Sequence, residues 1–180
     1  PEEVIFTSGG TESINLAIKG TVLGGEAGHI ITSAVEHPAT LRTCEYLAKF
    51  GIETTYLPVD RTGMISPADV AEAIRPDTRL ISLILANNEV GTVSPLEETG
   101  MIAEGAGIPF HIDAVQAVGK IPVDVTRLRC TFLSMSAHKI YGPKGVGGLY
   151  VRKGTQLKEI QHGGGQEAHL EGLLRAVHGQ

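Results

Sequence analysis

Lys139 and Asp113 are the residues of this sequence whose types and positions most clearly suggest chemistry. Lys139 ends the segment Ser136–Lys139, and Gly142 and Gly145 follow it closely. A lysine beside hydroxyl and imidazole groups in a glycine-rich turn is typical of a lysine that forms a Schiff base, for which its amine must be neutral. The alternative is an ordinary solvated lysine in a loop.

Asp113 directly follows a predicted strand over 108–112, and Gln116 comes three residues later. A carboxylate in this position can pair with the protonated pyridine nitrogen of an aromatic cofactor and keep its ring electron-poor. The alternative is a metal site built from His111, Asp113 and His138. His111 and Asp113 stand two residues apart on a strand with no third ligand at helical spacing, so we expect no metal here.

These residues must be positioned by a sheet, because short β-branched runs alternate with helical periodicity along the chain. This alternation predicts βαβ units and an α/β fold of three layers, a mainly parallel sheet with helices on both faces. The predicted strands are 4–6, 29–32, 53–57, 80–85, 108–112, 131–133 and 148–151, the last antiparallel and at an edge. Four helices are predicted: one around 14–18, one that begins at Pro38, one that follows the capping residue Ser66, and one over 96–104. In the second helix the buried residues are expected to be Leu41, Cys44, Leu47 and Ala48.

Polar residues gather after the strands, where ligands bind in such sheets. Gly10 and Thr11 open a helix that could bind a phosphate, although a plain connection is the alternative. His37 could stack on a flat ring or simply cap a helix. The amides and the carboxylate of 87–89 could line the same crevice or merely form a turn.

Composition limits the class of protein. The 180 residues are 42% hydrophobic, which is enough for one well-buried domain, and the net charge of −5 predicts no nucleic-acid partner. No apolar stretch is long enough to span a bilayer, so we expect no membrane segment. Only two cysteines occur, Cys44 and Cys130, and they form no CxxC pair, which favours a reducing, cytoplasmic setting.

Six segments in order resemble the cysteine desulfurases, the NifS-like branch of the class V aminotransferases, which are fold-type I enzymes that use pyridoxal 5'-phosphate. The segments are Phe6–Ser13, Glu36–His37, Asn87–Gly91, His111–Gln116, Ser136–Gly145 and His162–Glu167. The resemblance implies that 1–180 is a single, partial cofactor-binding large domain. The small C-terminal domain and an N-terminal segment are expected to lie outside it.

The resemblance also implies roles for individual residues. Lys139 and His37 would be catalytic: Lys139 would hold pyridoxal phosphate covalently and then move the proton at the substrate Cα, and His37 would stack on the ring and exchange protons with the substrate. Asp113 would bond the ring nitrogen and Gln116 the phenolic oxygen. The remaining cofactor contacts would come from Gly10, Thr11, Asn88, Ser136 and His138.

The activity implied by the resemblance is the conversion of L-cysteine to L-alanine, with the sulfur passed to a protein thiolate as a persulfide. The implied partners are L-cysteine, a sulfur-acceptor or Fe–S scaffold protein, and a second subunit in a homodimer. The resemblance implies that the persulfide cysteine would lie downstream of Gln180, and neither Cys44 nor Cys130 is expected to replace it. After Glu167 the sequence departs from the family, with Leu174 where relatives have a threonine.

Two alternatives remain open at this point. One is a selenocysteine lyase or another class V pyridoxal enzyme, because the retained motifs bind the cofactor and do not choose between sulfur and selenium. The other is an inactive fragment that lacks the persulfide cysteine.

Overall fold

The computed structural model of this protein describes residues 2–23, 25 and 27–161. This part of the chain contains seven strands and four α-helices. The strands are β1 (Val4–Thr7), β2 (Gly28–Ser33), β3 (Ile52–Leu57), β4 (Thr78–Ile84), β5 (Phe110–Asp113), β6 (Phe132–Ser136) and β7 (Gly147–Val151). The helices are α1 (Gly10–Val22), α2 (Pro38–Leu47), α3 (Pro67–Ala73) and α4 (Leu96–Gly105), with two 3₁₀ turns at Ala48–Phe50 and Ala137–Ile140.

The strands form one sheet in the order β1-β7-β6-β5-β4-β2-β3. The pairs β3–β2, β2–β4, β4–β5 and β5–β6 are parallel, and β7 pairs antiparallel with both β6 and β1. The predicted mainly parallel sheet is therefore confirmed. The predicted edge position of β7 is wrong: β1 pairs with Gly147–Tyr150 and takes the edge itself, so that β7 is buried between two strands.

The strands bury side chains on both faces, which makes the fold three-layered. Ile30 and Leu80 belong to one hydrophobic cluster, whereas their neighbours Ile31 and Ile81 belong to another, because successive side chains of a strand point to opposite faces. The first cluster includes α1 and α2 residues, and the second includes α3 and α4 residues. The helical members are Ile14, Ala17, Ile18, Cys44 and Leu47 in the first, and Val70, Leu96 and Ala103 in the second. The prediction of helices on both faces is confirmed.

The buried face of α2 differs in part from the prediction. Cys44 and Leu47 are buried as expected, but Leu41 is half-buried and Ala48 is exposed. Thr43 is buried instead, because its hydroxyl can donate to the carbonyl oxygen of residue 39 at 2.7 Å and so enters the core already hydrogen-bonded. A polar residue that satisfies itself on its own helix is not recognised by a hydrophobic pattern.

Two further local features are the cap of α3 and the segment that follows Asp113. Ser66 caps α3, as predicted, because its hydroxyl accepts a hydrogen bond from the Asp69 amide at 3.4 Å and Pro67 follows it. Residues 115–120, which carry Gln116, form turns. In the described ranges we find no helix that is both long enough and apolar enough to cross a membrane.

Candidate active site

A cavity of about 240 Å³ opens at the carboxyl ends of β4, β5 and β6, where the α1 N terminus meets the sheet. This is where ligands bind in parallel α/β sheets. The structure brings together all nine residues predicted from the sequence. The lining residues are Gly10, Thr11, Ile14, His37, Ile84, Asn88, Asp113, Val115, Gln116, Ser136, His138 and Lys139. Ile14, Ile84 and Val115 were not predicted as site residues, because apolar side chains carry no chemical signal.

Lys139 lies in the 3₁₀ turn that directly follows β6, so its backbone is set by the strand. The turn is closed on both sides: the Gly142 amide donates to the Ala137 carbonyl at 2.8 Å, and the Ala137 amide donates to the Val146 carbonyl at 3.0 Å. Lys139 is half-buried and lines the cavity. A lysine anchored in this way can present its amine to a bound molecule with little loss of conformational freedom.

The turn that follows Asp113 packs directly against the lysine turn at Gly119. A Cβ atom at Gly119 would lie 2.6 Å from Cγ2 of Ile140, the residue next to Lys139, and Gly119 has a φ of +75°. Both the close approach and the left-handed backbone require glycine. The two turns that carry Asp113 and Lys139 are therefore in contact through a position that admits no side chain.

We expect Gly119→Ala to lower the free energy of unfolding more than Gly107→Ala. Gly107 has a φ of +67°, and the described residues leave open space where its Cβ atom would lie, so alanine there costs only the left-handed backbone, about 1–2 kcal/mol. Gly119→Ala adds overpacking against Ile140, about 1–3 kcal/mol more. Urea unfolding of both variants measures the difference. Equal losses would contradict the contact between the two turns.

Asp113 lies at the floor of the cavity and is only 3% exposed. One carboxylate oxygen, Oδ1, accepts a hydrogen bond from the Val115 amide at 3.0 Å. Burial raises the pKa of Asp113, and the Val115 hydrogen bond and the nearby His37 act in the opposite direction. A cation bound in the cavity would stabilise a buried carboxylate of this kind.

Gln116 is oriented by Lys120, whose Nζ donates to the Gln116 side-chain oxygen at 2.7 Å. Because a lysine ammonium only donates, the Gln116 oxygen must be the atom that faces it. The NH₂ group of Gln116 then stays available as a donor. This suits a negatively charged oxygen on a bound ring.

His37 both caps a helix and lines the cavity, so the two alternatives from the sequence are compatible. Its Nδ1 accepts a hydrogen bond from the Ala39 amide at 3.0 Å at the start of α2. This bond fixes the ring and requires Nδ1 to be unprotonated, which places the proton of the neutral imidazole on Nε2. The cap thus orients the imidazole at the cavity wall.

The start of α1 offers a place for an anion. Among the described residues, no side chain caps α1 where it begins at Gly10, whereas α2 and α3 are capped by His37 and Ser66. The first N–H groups of a helix have no intrahelical acceptor and attract negative charge. Opposite them, the Ser136 hydroxyl and His138 Nδ1 are 2.9 Å apart. The backbone donors, the hydroxyls and the imidazole together match a phosphate group.

Only Asn88 of the 87–89 segment lines the cavity. Asn87 is the turn-former: its Oδ1 accepts from the amides of Glu89 and Val90 at 2.9 and 3.0 Å, and its Nδ2 donates to the Val35 carbonyl at 3.0 Å. Of the two alternatives that the sequence left open, Asn87 follows the turn and Asn88 alone lines the crevice. Asn87 directs its hydrogen bonds to the backbone and so presents Asn88.

Glu36 is an important residue of this region to which the sequence assigned no role. Its carboxyl group is buried, and Oε1 accepts from the Ser33 hydroxyl at 2.6 Å and from the Ile84 amide at 3.0 Å. Burial raises the pKa of Glu36 to about 8, with a further contribution from Asp113. The signal in the sequence was an acidic residue placed just after a strand whose residues are all buried.

Neither cysteine is presented for reaction. Cys44 and Cys130 are free and buried, and burial raises the pKa of each thiol to about 12.

The alternative of a metal site at His111, Asp113 and His138 loses one ligand, because both ring nitrogens of His111 are within 2.8 Å of serine hydroxyls. His111 is thereby directed into the protein and not into the cavity.

The sequence of this chain matches the aminotransferase class-V family over residues 1–175. The chain belongs to this family. It is 57% identical over 168 residues to the cysteine desulfurase IscS of Dictyoglomus turgidum, covering 92% of this chain and 43% of the relative. It is 49% identical over 174 residues to a mitochondrial cysteine desulfurase of Arabidopsis thaliana, covering 94% of this chain and 38% of the relative.

Solved structures of the family share the same fold. A structure described as SspA in complex with cysteine has a TM-score of 0.91 and 48% identity, and covers 94% of this chain and 50% of that protein. A NifS-like protein has a TM-score of 0.89 and 42% identity, and covers 94% of this chain and 48% of that protein. The resemblance to NifS-like cysteine desulfurases and the fold-type I architecture are confirmed.

The chain spans less than half the length of the curated relatives that it matches. The division into a partial large domain with further segments elsewhere stays a prediction. The motif His162–Glu167 and the divergent tail around Leu174 lie outside the described residues.

Proposed function

We propose that this chain is the cofactor-binding part of a cysteine desulfurase that uses pyridoxal 5'-phosphate to convert L-cysteine to L-alanine. The observation that carries the proposal is one cavity that joins Lys139, the buried Asp113 and the uncapped start of α1. The relatives named cysteine desulfurase and the similar structure in complex with cysteine support the choice of substrate.

The donor set of the cavity fits each part of pyridoxal phosphate. The phosphate would be bound by the Gly10 backbone, Thr11, Ser136 and His138, and the aldehyde carbon by the Lys139 amine. The NH₂ group of Gln116 would donate to the phenolic oxygen. His37, whose ring is fixed by its cap, would lie against the ring face.

Pyridoxal phosphate, when bound, supplies an electron-accepting ring that stabilises negative charge at the substrate Cα. Asp113 would keep a proton on the ring nitrogen, because a cation beside it would stabilise its buried carboxylate. Lys139 would take the proton from Cα and return one later. His37 would exchange a proton with the substrate through Nε2, because Nδ1 is bound to the Ala39 amide.

In this proposal the group that contacts the substrate carboxylate lies in this chain, and the thiolate that receives the sulfur lies elsewhere in the full-length protein. Asn88, presented by the Asn87 turn, would contact the substrate carboxylate. Because both thiols of this chain are buried with a raised pKa, the attacking thiolate would come from a cysteine elsewhere in the full-length protein. The sulfur would then pass to an acceptor or Fe–S scaffold protein. We further propose that the protein is a homodimer and that it works in the reducing cytoplasm. The reducing setting fits the two free thiols.

Product analysis of the full-length protein that contains this chain tests the proposal. With L-cysteine and pyridoxal phosphate, we expect alanine and sulfide to form in the presence of a thiol reductant. Lys139→Ala should abolish both products, whereas Lys153→Ala, at an exposed lysine away from the cavity, should retain them. Turnover of selenocysteine with no turnover of cysteine would contradict the desulfurase assignment, and equal turnover by wild type and Lys139→Ala would contradict the role of Lys139.

A further inference from the structure

A chain of hydrogen bonds runs through the protein directly beneath the cavity. Ser82 Oγ lies 2.8 Å from His111 Nδ1, His111 Nε2 lies 2.8 Å from Ser134 Oγ, and Ser134 Oγ lies 2.8 Å from Ser13 Oγ. Ser13 Oγ is also 2.9 Å from the Gly148 carbonyl oxygen. All four side chains are completely buried. This chain of hydrogen bonds therefore links β4, β5, β6, α1 and β7 across one face of the sheet.

Each strand member of this chain lies two residues before a residue that lines the cavity. The pairs are Ser82 and Ile84, His111 and Asp113, and Ser134 and Ser136. Residues two apart on a strand share a face, so the hydrogen-bonded layer lies immediately below the cavity floor. Ser13 lies three residues after Gly10 and therefore on the same side of α1.

With a neutral His111, the hydrogen atoms of this series of hydrogen bonds can be arranged in one way that uses every bond. The Gly148 carbonyl only accepts, so Ser13 must donate to it and accept from Ser134. Ser134 then accepts from Nε2–H of His111, and Nδ1 of His111 accepts from Ser82. A protonated His111 would instead donate to both Ser82 and Ser134, and burial opposes this form by lowering the pKa of His111 to about 3. A fully satisfied buried network of this kind favours one arrangement of the elements it joins.

We propose that His111, together with Ser13, Ser82 and Ser134, is a positioning residue that sets the spacing between two anchors of the cofactor. One anchor is the α1 N terminus, which would bind the phosphate, and the other is Asp113, which would bind the ring nitrogen. The inference rests on the proposed function, because it assigns both anchors to pyridoxal phosphate. His111 itself touches neither the cofactor nor the substrate.

A fixed spacing matters only for a ligand that uses both anchors at once. Pyridoxal phosphate would use both, whereas pyridoxal lacks the phosphate and would use only the ring anchor. Loss of the network should therefore weaken binding of pyridoxal phosphate and leave binding of pyridoxal almost unchanged, since preorganisation benefits the second contact and not the first. A general loosening of the fold would weaken both ligands together.

His29 provides a matched control. It is also completely buried, and its two ring nitrogens also bridge hydroxyls, Thr78 Oγ1 at 2.9 Å and Thr55 Oγ1 at 2.8 Å. It lies near the amino end of β2, at the end of the sheet opposite the cavity. His29→Phe and His111→Phe thus each remove a solvent-inaccessible imidazole that bridges two hydroxyls, one far from the site and one beneath it.

The test measures the dissociation constants of pyridoxal phosphate and pyridoxal for the full-length protein and its variants. We expect His111→Phe to weaken pyridoxal phosphate about tenfold or more and pyridoxal less than twofold, with His29→Phe within twofold of wild type for both. Ser13→Ala, a smaller change that breaks the same chain, should follow His111→Phe in direction and carries the test should His111→Phe not fold. Wild-type affinities in Ser13→Ala, or equally weakened binding of both ligands, would overturn this inference and leave the proposed function intact. A wild-type protein that does not bind pyridoxal phosphate would overturn the proposed function as well.

Discussion

Replacing Asp113 with asparagine is expected to lower cysteine turnover by about two to four orders of magnitude. The carboxylate is 3% exposed, so a protonated ring nitrogen above it would be almost removed from water. An amide cannot neutralise that charge, and leaving a buried charge without its partner costs about 3–5 kcal/mol. At 1.36 kcal/mol for each factor of ten, roughly a 150- to 5,000-fold loss follows. Turnover of L-cysteine at saturating pyridoxal phosphate is the measurement.

The same substitution should not destabilise the cofactor-free protein at neutral pH. Because burial raises the pKa of Asp113, its ionised form opposes folding, and asparagine removes that cost. Asparagine also keeps an oxygen for the Val115 amide. The control is Asp124→Asn, at an exposed aspartate whose contacts are the amides of residues 126 and 127, and it should change neither quantity. A parallel loss of stability and turnover in Asp113→Asn would show that Asp113 is structural.

Glu36→Gln is expected to flatten the dependence of stability on pH. The pKa of Glu36 is raised from 4.5 to about 8, so between these values the folded protein holds a proton that the unfolded chain has lost. Stability therefore falls as pH rises from about 4.5 through 8. At about 1.36 kcal/mol for each pH unit, the loss between pH 4.5 and pH 7 is roughly 3 kcal/mol. Urea unfolding of the cofactor-free protein at several pH values measures this slope.

Glutamine keeps the geometry of the bonds to Ser33 and Ile84 and removes the titration, so the slope and not the absolute stability is the informative quantity. Oε2 of Glu36 is buried and has no hydrogen-bond partner among the described residues, so a buried NH₂ group in its place can lower stability at every pH. Glu72→Gln, at an exposed glutamate, should leave the slope as in wild type. A wild-type slope in Glu36→Gln would mean that Glu36 is already ionised in the folded protein.

Much of the candidate site could be predicted from the sequence because parallel topology brings the carboxyl ends of strands to one edge. Once 80–85, 108–112 and 131–133 were recognised as strands, Asn88, Asp113 and Lys139 had to lie near one another. The types of these residues then suggested the chemistry. Nothing in this reasoning required knowledge of long-range pairing beyond the parallel order.

The rest depended on contacts between residues far apart in the sequence. The burial of β7 between two strands follows from the return of β1, about 140 residues earlier in the chain, to the edge beside it. His111 could be recognised as a buried network residue only after Ser13, Ser82 and Ser134 were placed around it. Local periodicity describes which face a residue occupies and does not describe its neighbours on that face.

Reductive capture of pyridoxal phosphate tests the central claim most directly. Full-length protein is incubated with pyridoxal phosphate, treated with borohydride, digested and analysed by mass spectrometry, with Lys139→Ala and Lys153→Ala in parallel. We expect the reduced cofactor on the peptide that contains Lys139 in wild type and in Lys153→Ala, and on no peptide at comparable yield in Lys139→Ala. Stoichiometric capture at another lysine, or equal capture in Lys139→Ala, would contradict the claim that this cavity binds the cofactor through Lys139.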